Sequence, residues 1–487
     1  MLFNSVPFLI FMAVFFAAWP IVRRWPNARW IYLVAASFFF YGWWDWRFLF
    51  LIAASGLIDF FAGLGMSRWP GRRKALLIAS VVGNVGSLAV FKYLDFFIGN
   101  VNWVSNLLGV DWQMPVAGLI LPVGISFYTF QSMSYTIDIY RRKIEPEQSF
   151  LRFALFVAFF PQLVAGPILR ASQFIPQLRR VIRLTSVNLN RGIDLFVIGL
   201  VKKVVVGDNL APFVDTLLND PIGHSSLEIW IGAMLFYIQL YCDFSGYTDM
   251  ARGVGRMLGF QIPRNFNYPF LSRSMSEFWQ RWHITLSSWL HDYLFVSLLD
   301  RRKGRRNLLT AVFITMFLCG LWHGASLNFV LFGIWIALVQ CVEISFGWRT
   351  SVGREIRHGH RTLSAFSRER LGGWLRWAIN LVVLLYAFLL FRVTGAENVI
   401  YTTRKFFLID IPFASATSTH LTPDRFFEAG IVLFFLIAHL LSRRAGGIEL
   451  LLERVRGPAR IVVYAVVVYI LLLLWPAGEQ AYVYFQF

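Results

Sequence analysis

The sequence alternates apolar runs of about twenty residues with short polar loops, and this spacing constrains the chain more than any other feature. Clear runs cover residues 30–44, 48–66, 75–97, 116–140, 193–218, 229–250, 377–391, 426–441 and 461–475. A further pair, 311–321 and 327–344, flanks His323. Twenty helical residues reach about 30 Å, which is the thickness of a hydrocarbon core. In lipid every backbone polar group must be satisfied within the segment, so such runs imply helices. Composition agrees: 57% of residues are hydrophobic and 15% charged, where soluble domains carry about 25% charged. The chain is therefore expected to be an all-α, polytopic transmembrane helical bundle. About ten or eleven spans plus re-entrant pieces are expected, in one domain over 1–487.

The net charge of +19 would suggest nucleic acid for a soluble protein. Here the basic residues cluster in short loops between apolar runs, which is the positive-inside pattern, and no nucleic-acid motif is present. Arg23, Arg24 and Arg29, then Arg68–Lys74, then Arg141–Lys143 mark the cytoplasmic side, with the basic stretch 349–370 later. Residues 1–22 lack a charged leader and a small-residue cleavage site, so a retained first span is expected. Cys242, Cys319 and Cys341 sit in apolar runs without metal-ligand spacing and read as small core residues, so no metal is expected.

The alternation of faces breaks at 150–168. That segment is apolar, yet Arg170, Arg179, Arg180 and Arg183 follow it. A full crossing would put these arginines outside, so the segment is expected to re-enter and return to the face it left. Non-helical backbone at membrane depth is tolerated where protein buries it or it lines a cavity.

Polar side chains at membrane depth are costly and mark candidate sites. The first group is 276–293, SEFWQRWHITLSSWLHDY. Read as one helix, Trp279, Trp282, Leu286, Trp289 and Tyr293 form a stripe, with Gln280, His283, Ser287 and His291 beside it. Either this is an interfacial amphipathic helix or the His283 face lines a polar cavity. The second is His323 in GLWHGAS, between Gly320 and Gly324, which permit close backbone approach or a helix break. It is either a hydrogen-bonded packing residue or a general base, since a histidine titrates near neutrality. The third comprises Tyr128, Gln131, Tyr135 and Asp138 on one face, and Asp243, Ser245, Tyr247 and Asp249 close together. These can be packing contacts, or an intramembrane ion pair with Lys202 or Lys203. Pattern alone gives a membrane protein with a polar interior and does not separate an enzyme from a transporter or flippase, or from a scaffold.

Long motifs resolve that choice by resemblance. PVGISFYTFQSMSYTIDIYR (122–141), FFPQLVAGPILR (159–170), GLVKKVVVGDNLA (199–211), YCDFSGYTDMARGVGRMLGF (241–260), NFNYPF (265–270), FWQRWHITLSSWLHDYLF (278–295), GLWHGAS (320–326) and the ending VYFQF occur in order. They resemble the bacterial membrane-bound O-acyltransferases, above all the alginate-acetylating branch. Where that branch usually carries a Pro-Leu-Gly-Gly type loop, this chain reads VSLLDRRKGRR.

The resemblance implies helices ringed around a central tunnel, with 276–346 as the catalytic core segment. It implies His323 as the catalytic residue and His283 as a second active-site histidine. It implies acetyl-CoA as a cytoplasmic acyl donor and an inner-membrane location; the donor's phosphates are expected to meet the cytoplasmic Arg170, Arg179 and Arg180 beside the re-entrant segment. An extracytoplasmic SGNH-type acetyltransferase would be the partner, and an exopolysaccharide such as alginate, or a cell-wall glycan, the final acceptor. The chain has no G-x-S-x-G nucleophile elbow of its own. D-alanyl transfer to a cell-wall polymer is the alternative within the class.

Overall fold

Most of the apolar runs fold as helices. The structure is a computed structural model that describes residues 1–182, 184–346, 370–409, 423–455, 457–476 and 482–483. Arg183, most of the basic stretch 349–370 and the last four residues of the VYFQF ending lie outside these. Among the described residues seven helices are long and apolar enough to cross a membrane. Two more, Val6–Val22 and Pro458–Leu473, are apolar but shorter. The sequence expectation of ten or eleven spans exceeds this count because several apolar runs fold as short or interrupted helices. The protein is a polytopic helical membrane protein.

The chain divides into two compact units. The first contains residues 1–196 and 247–263. Its helices are α1 (Val6–Val22), α2 (Pro26–Gly42), α3 (Phe48–Arg68), α4 (Arg73–Leu107), α5 (Ile125–Tyr140), α6 (Phe150–Ala158) and α7 (Ala171–Leu178). α8 (Ser186–Val201) begins in this unit. Helices α3, α4 and α5 are locked in register by a buried polar knot. Asp59 accepts from Ser80 Oγ at 2.5 Å and from Asn84 Nδ2 at 2.9 Å. Ser55 donates to Asn84 at 2.6 Å, and Ser80 and Thr136 share a hydrogen bond of 2.9 Å. Each polar group thereby finds a partner away from lipid.

Helix α6 has nine residues, about 13 Å of rise, less than half a hydrocarbon core. Residues 159–169 then turn back, all of them buried, before α7 starts. The turn is fitted against the start of α5. Gly124 adopts φ 80°, and a Cβ there would lie 2.7 Å from the Leu163 carbonyl oxygen. Gln162 donates to Gln131, which in turn donates to the Phe156 carbonyl. The expected re-entrant segment is thus a half-depth helix and a buried return.

The second unit contains residues 197–246 and 264–487. A π-helical turn, Lys202–Asp208, joins the end of α8 to α9 (Asn209–Leu218). It is followed by α10 (Ser226–Met257), which ends in the first unit. Then come α11 (Met275–Trp279), α12 (Ile284–Trp289), a second π-helical turn (Leu290–Phe295) and α13 (Val296–Leu298). The long pair α14 (Gly304–His323) and α15 (Leu327–Ser345) follows. The remaining helices are α16 (Arg370–Arg392), α17 (Ala396–Phe407), α18 (Pro423–Ala445), α19 (Ile448–Arg454) and α20 (Pro458–Leu473).

Candidate active site

The segment read as one amphipathic helix over 276–293 is broken in the middle. Helix α11 stops at Trp279, and His283 takes the left-handed conformation with φ 43° and ψ 52° before α12 begins. The break is held by the non-helical segment 265–267. Ile284 N donates to the Asn265 carbonyl at 2.9 Å, and Asn267 N donates to the Arg281 carbonyl at 2.8 Å. Asn265 Oδ1 also accepts from Thr285 N and Oγ1. A non-glycine residue in this region is strained, and such strain persists only where surrounding contacts over-determine it. A helical wheel assumes continuity, so it could not anticipate this. Trp279, Trp282, Leu286, Trp289 and Tyr293 are all buried, so they form core rather than an interfacial belt. His291, placed beside His283 by the wheel, is exposed and pairs with Asp292.

His283 itself is completely buried. Phe244 of α10 meets its ring edge-on, with centroids 4.8 Å apart. Trp322 meets it at 5.9 Å. Helix α11 is anchored at its N-terminus by Ser274 Oγ and by the Glu343 carboxylate of α15, which accepts from Met275 N at 2.7 Å. A carboxylate at a helix start answers both the orphan amides and the dipole.

His323 is the last residue of α14. Gly324 follows in extended conformation, so the helix ends at the imidazole. Gly320 has the role suggested by its position: a Cβ there would come within 2.5 Å of Gly333 Cα. Helices α14 and α15 therefore cross in backbone contact just before His323. A Cβ on Gly324 would lie 2.1 Å from the Phe329 ring. The His323 ring is 7% exposed, packed edge-on by Trp322, Phe332 and Phe391 at centroid distances of 5.0, 5.8 and 5.1 Å. Asn328 donates to the Phe391 carbonyl at 3.0 Å, which ties α16 to α15 at this point.

Trp322 joins the two histidines. It precedes His323 in the chain, packs against its ring and touches His283 as well. Forty positions of sequence thus close onto one indole. Trp322, Phe244 and Phe391 were not singled out from the sequence. Trp322 sits inside the GLWHGAS motif and Phe244 inside the motif over 241–260, whereas Phe391 carries no local signal, and the packing of all three on the histidines arises from tertiary structure.

The other candidates have different surroundings. Arg170, Arg179 and Arg180 lie around α7 in the first unit. Arg179 is bound to the buried Glu147 at 3.0 Å, and Arg152 binds the other oxygen at 2.7 Å. Burial alone would raise the Glu147 carboxyl. Hydrogen bonds from Arg152, the Ser149 amide and Arg179 outweigh that and hold it below the usual carboxylate range. The Arg180 side chain is exposed. On α5, Tyr128, Gln131, Tyr135 and Asp138 are buried; Tyr135 Oη accepts from Glu147 N, and Gln131 belongs to the turn described above, so both are packing contacts. Asp243 forms the intramembrane pair expected with a lysine: Lys203 Nζ lies 2.5 Å from Asp243 and 2.7 Å from Asp208. Asp249 pairs with Arg252. All three cysteines are free thiols in or near the core. No group of three potential metal ligands occurs among the described residues.

The profile of the membrane-bound O-acyltransferase family matches residues 116–388. The probable alginate O-acetylase of Pseudomonas aeruginosa is 36% identical over 406 residues, covering 82% of this chain and 72% of that protein. A peptidoglycan O-acetyltransferase of Helicobacter pylori is 33% identical, covering 82% and 78%. A teichoic acid D-alanyltransferase of Bacillus subtilis is 29% identical over a shorter stretch, 48% of this chain and 62% of that protein.

Proposed function

The chain belongs to the membrane-bound O-acyltransferase family, and from that premise we propose that it moves an acetyl group from cytoplasmic acetyl-CoA across the inner membrane for O-acetylation of an extracytoplasmic polysaccharide. O-acyltransferase activity and a multi-pass membrane location come with the family. The acetyl group, the donor, the histidine base and the partner are our reading. The observation that carries it is the junction of both motif histidines on Trp322, within a wall of aromatic rings.

The chemistry follows from these residues. An acceptor hydroxyl attacks the thioester carbonyl; a C–O bond forms and the C–S bond breaks. His323 takes the hydroxyl proton and returns it to the leaving thiolate. A positioned base of this kind contributes roughly 10²–10⁴-fold. His283 orients the acyl carbonyl and steadies the developing oxyanion. The aromatic wall keeps water away, which strengthens these interactions and limits thioester hydrolysis. A central tunnel would admit donor and acceptor from opposite faces. Arg170, Arg179 and Arg180 are the proposed contacts for the CoA phosphates, with Arg179 partly neutralised by Glu147. A separately encoded extracytoplasmic SGNH-type acetyltransferase would receive the acetyl group and place it on alginate-like exopolysaccharide or cell-wall glycan.

The test is acetyl transfer in proteoliposomes. Labelled acetyl-CoA is supplied on the cytoplasmic face, with a hydroxyl acceptor or the partner enzyme in the lumen. Lumenal ester label is expected from wild type and lost in His323→Ala of equal folded yield. Equal label in both would remove His323 from the mechanism and favour a transporter. Transfer of D-alanine in place of acetyl would move the chain to the D-alanylating branch.

A further inference from the structure

The polar knot of the first unit fixes where the outer ends of three helices lie. Ser55 and Asp59 on α3 pair with Asn84 and Ser80 on α4, and Gly65 meets Leu76, so the two helices run antiparallel in a constant register. That register sets Phe48, the first residue of α3, level with Phe91. Ser80 with Thr136 and Asn84 with Ser132 set Ile125, the first residue of α5, at the same level. Phe48 directly follows the ion pair of Asp45 and Arg47, a pair of charges costly to hold in hydrocarbon and therefore a sign of the water boundary opposite the basic loops. Helix α4 does not stop there. It continues to Leu107, sixteen residues or about 24 Å further.

The chain returns from Leu108 to Gly124 without helix, clamped to this overshoot by side chains. Asn102 accepts from Met114 N at 2.8 Å and donates to its carbonyl at 2.9 Å. Ser105 Oγ binds the Val110 and Trp112 carbonyls. The Asp95 carboxylate accepts from Ala117 N and Gly118 N. The result is an arm of helix and irregular return segment with a set shape. Its outer surface is nevertheless apolar: Phe97 is 62% exposed, Trp103 63%, Leu108 71% and Trp112 53%. Apolar patches of this kind on a water-side element are interaction sites.

We propose that this arm, residues 93–124, is the docking surface for the water-soluble extracytoplasmic protein that receives the acyl group. The proposal rests on the hand-off reading above and adds the surface that performs it. Three observations favour a protein over the bilayer as the occupant. The helix register carries the arm away from the hydrocarbon. Its return segment is non-helical, which lipid exposure forbids within hydrocarbon. Between Lys92 and Arg141 the sequence has no Lys or Arg, so nothing draws the arm to anionic headgroups. The fitting partner face is apolar with a neutral or basic rim, because Asp111 is the arm's one acidic side chain besides the clamping Asp95. The side-chain clamps hold the arm in shape beforehand, which lowers the ordering cost of binding.

The test uses the full chain, in its host and in proteoliposomes. The double variant Phe97→Glu/Trp112→Glu, and Phe97→Ser/Trp112→Ser beside it, change exposed side chains that take no part in the catalytic site. Ester-bound acetyl on the extracellular polymer is expected to fall roughly tenfold in both, as for loss of interface anchors. His323-dependent turnover of acetyl-CoA with a small hydroxyl acceptor is expected to stay at the wild-type value. Unchanged polymer acetylation in both double variants overturns the proposal. Turnover lost together with acetylation also overturns it, since the arm would then support the catalytic fold. A bimane label on Val101→Cys and on Trp112→Cys reports the environment. Quenching by nitroxide lipids would place the arm in the bilayer and overturn the proposal, whereas quenching by aqueous iodide alone supports it. Failure of the functional reading is separate: it would show as no His323-dependent turnover in the wild type.

Discussion

Trp322 stands between His283 and His323, its ring 5.9 Å from the first and 5.0 Å from the second. The indole is 5% exposed and belongs to α14, whereas His283 belongs to a break between two short helices. Trp322 therefore sets the separation of two groups that the proposed reaction needs in fixed relation. Trp322→Phe is expected to keep the fold and lower kcat by about tenfold, with KM for acetyl-CoA little changed. Misplacement of reacting groups by about 1 Å can cost 10²-fold, and a phenyl ring leaves a smaller gap than that. Rate measurements on folded, detergent-purified protein check this. A change in KM alone would make Trp322 a binding wall rather than a positioning residue.

Gly320 is where α14 and α15 touch. Gly320→Ala would push a methyl to within 2.5 Å of the Gly333 backbone, which cannot yield as a side chain could. Overpacking of this kind costs about 1–3 kcal/mol. The helices would part at the turn that ends in His323, so activity should fall more than stability. Thermal unfolding and acetyl transfer measured side by side test the ordering. Full activity in Gly320→Ala would show that the crossing does not position His323.

The helical class and the re-entrant segment were legible in the sequence, and both histidines could be singled out as candidates; the reasons are physical. Hydrocarbon thickness and the positive-inside bias act on every residue of a run, so 75–97 or 327–344 announce themselves. The half-depth excursion at 150–168 was legible because charge on both sides contradicted a crossing. His283 could be singled out as a polar group in an apolar setting, but its left-handed backbone could not, because Asn265 and Asn267 impose it from eighteen and sixteen positions away. The same holds for Phe244 and Phe391. The arm was not legible, since its clamps join Asn102 to Met114 and Asp95 to Ala117 through geometry that no periodicity encodes.

Glu147 makes the loop before α6 sensitive to acid. Its carboxyl is held below the usual range in the folded protein, so the folded state binds fewer protons there than the unfolded state. The stability it contributes is present above the unfolded carboxylate value of about 4.3 and is lost as pH falls from there through the lower folded value. Glu147→Gln should therefore narrow the stability difference between pH 7 and pH 4 while leaving a residual acid response from other carboxylates. Thermal unfolding of wild type and variant across that range tests it. Parallel curves with a constant offset would show that Arg152 and Arg179 do not hold the carboxylate charged.

Lys203 and Asp208 lie on the π-helical turn and form a buried cluster with Asp243 of α10, and Tyr482 and Val483 cover it. Val483 N donates to Asp243 Oδ2 at 2.9 Å, and the Tyr482 ring covers Lys203 Nζ at 4.2 Å. All three charged side chains are 1–2% exposed. Removing one partner of a buried ion pair costs about 3–5 kcal/mol, because the other charge is left without compensation. Lys203→Met leaves two carboxylates facing each other and should be the most damaging single change. Asp243→Asn keeps an acceptor for Val483 N and leaves Lys203 paired with Asp208, so it should cost less. The triple variant Lys203→Met/Asp208→Asn/Asp243→Asn removes all the charge together and should recover much of the loss. Unfolding temperatures of the purified variants, compared as a mutant cycle, measure the coupling. Additive losses in the triple variant would mean that the three groups act separately and that the ion pairs contribute nothing as a unit.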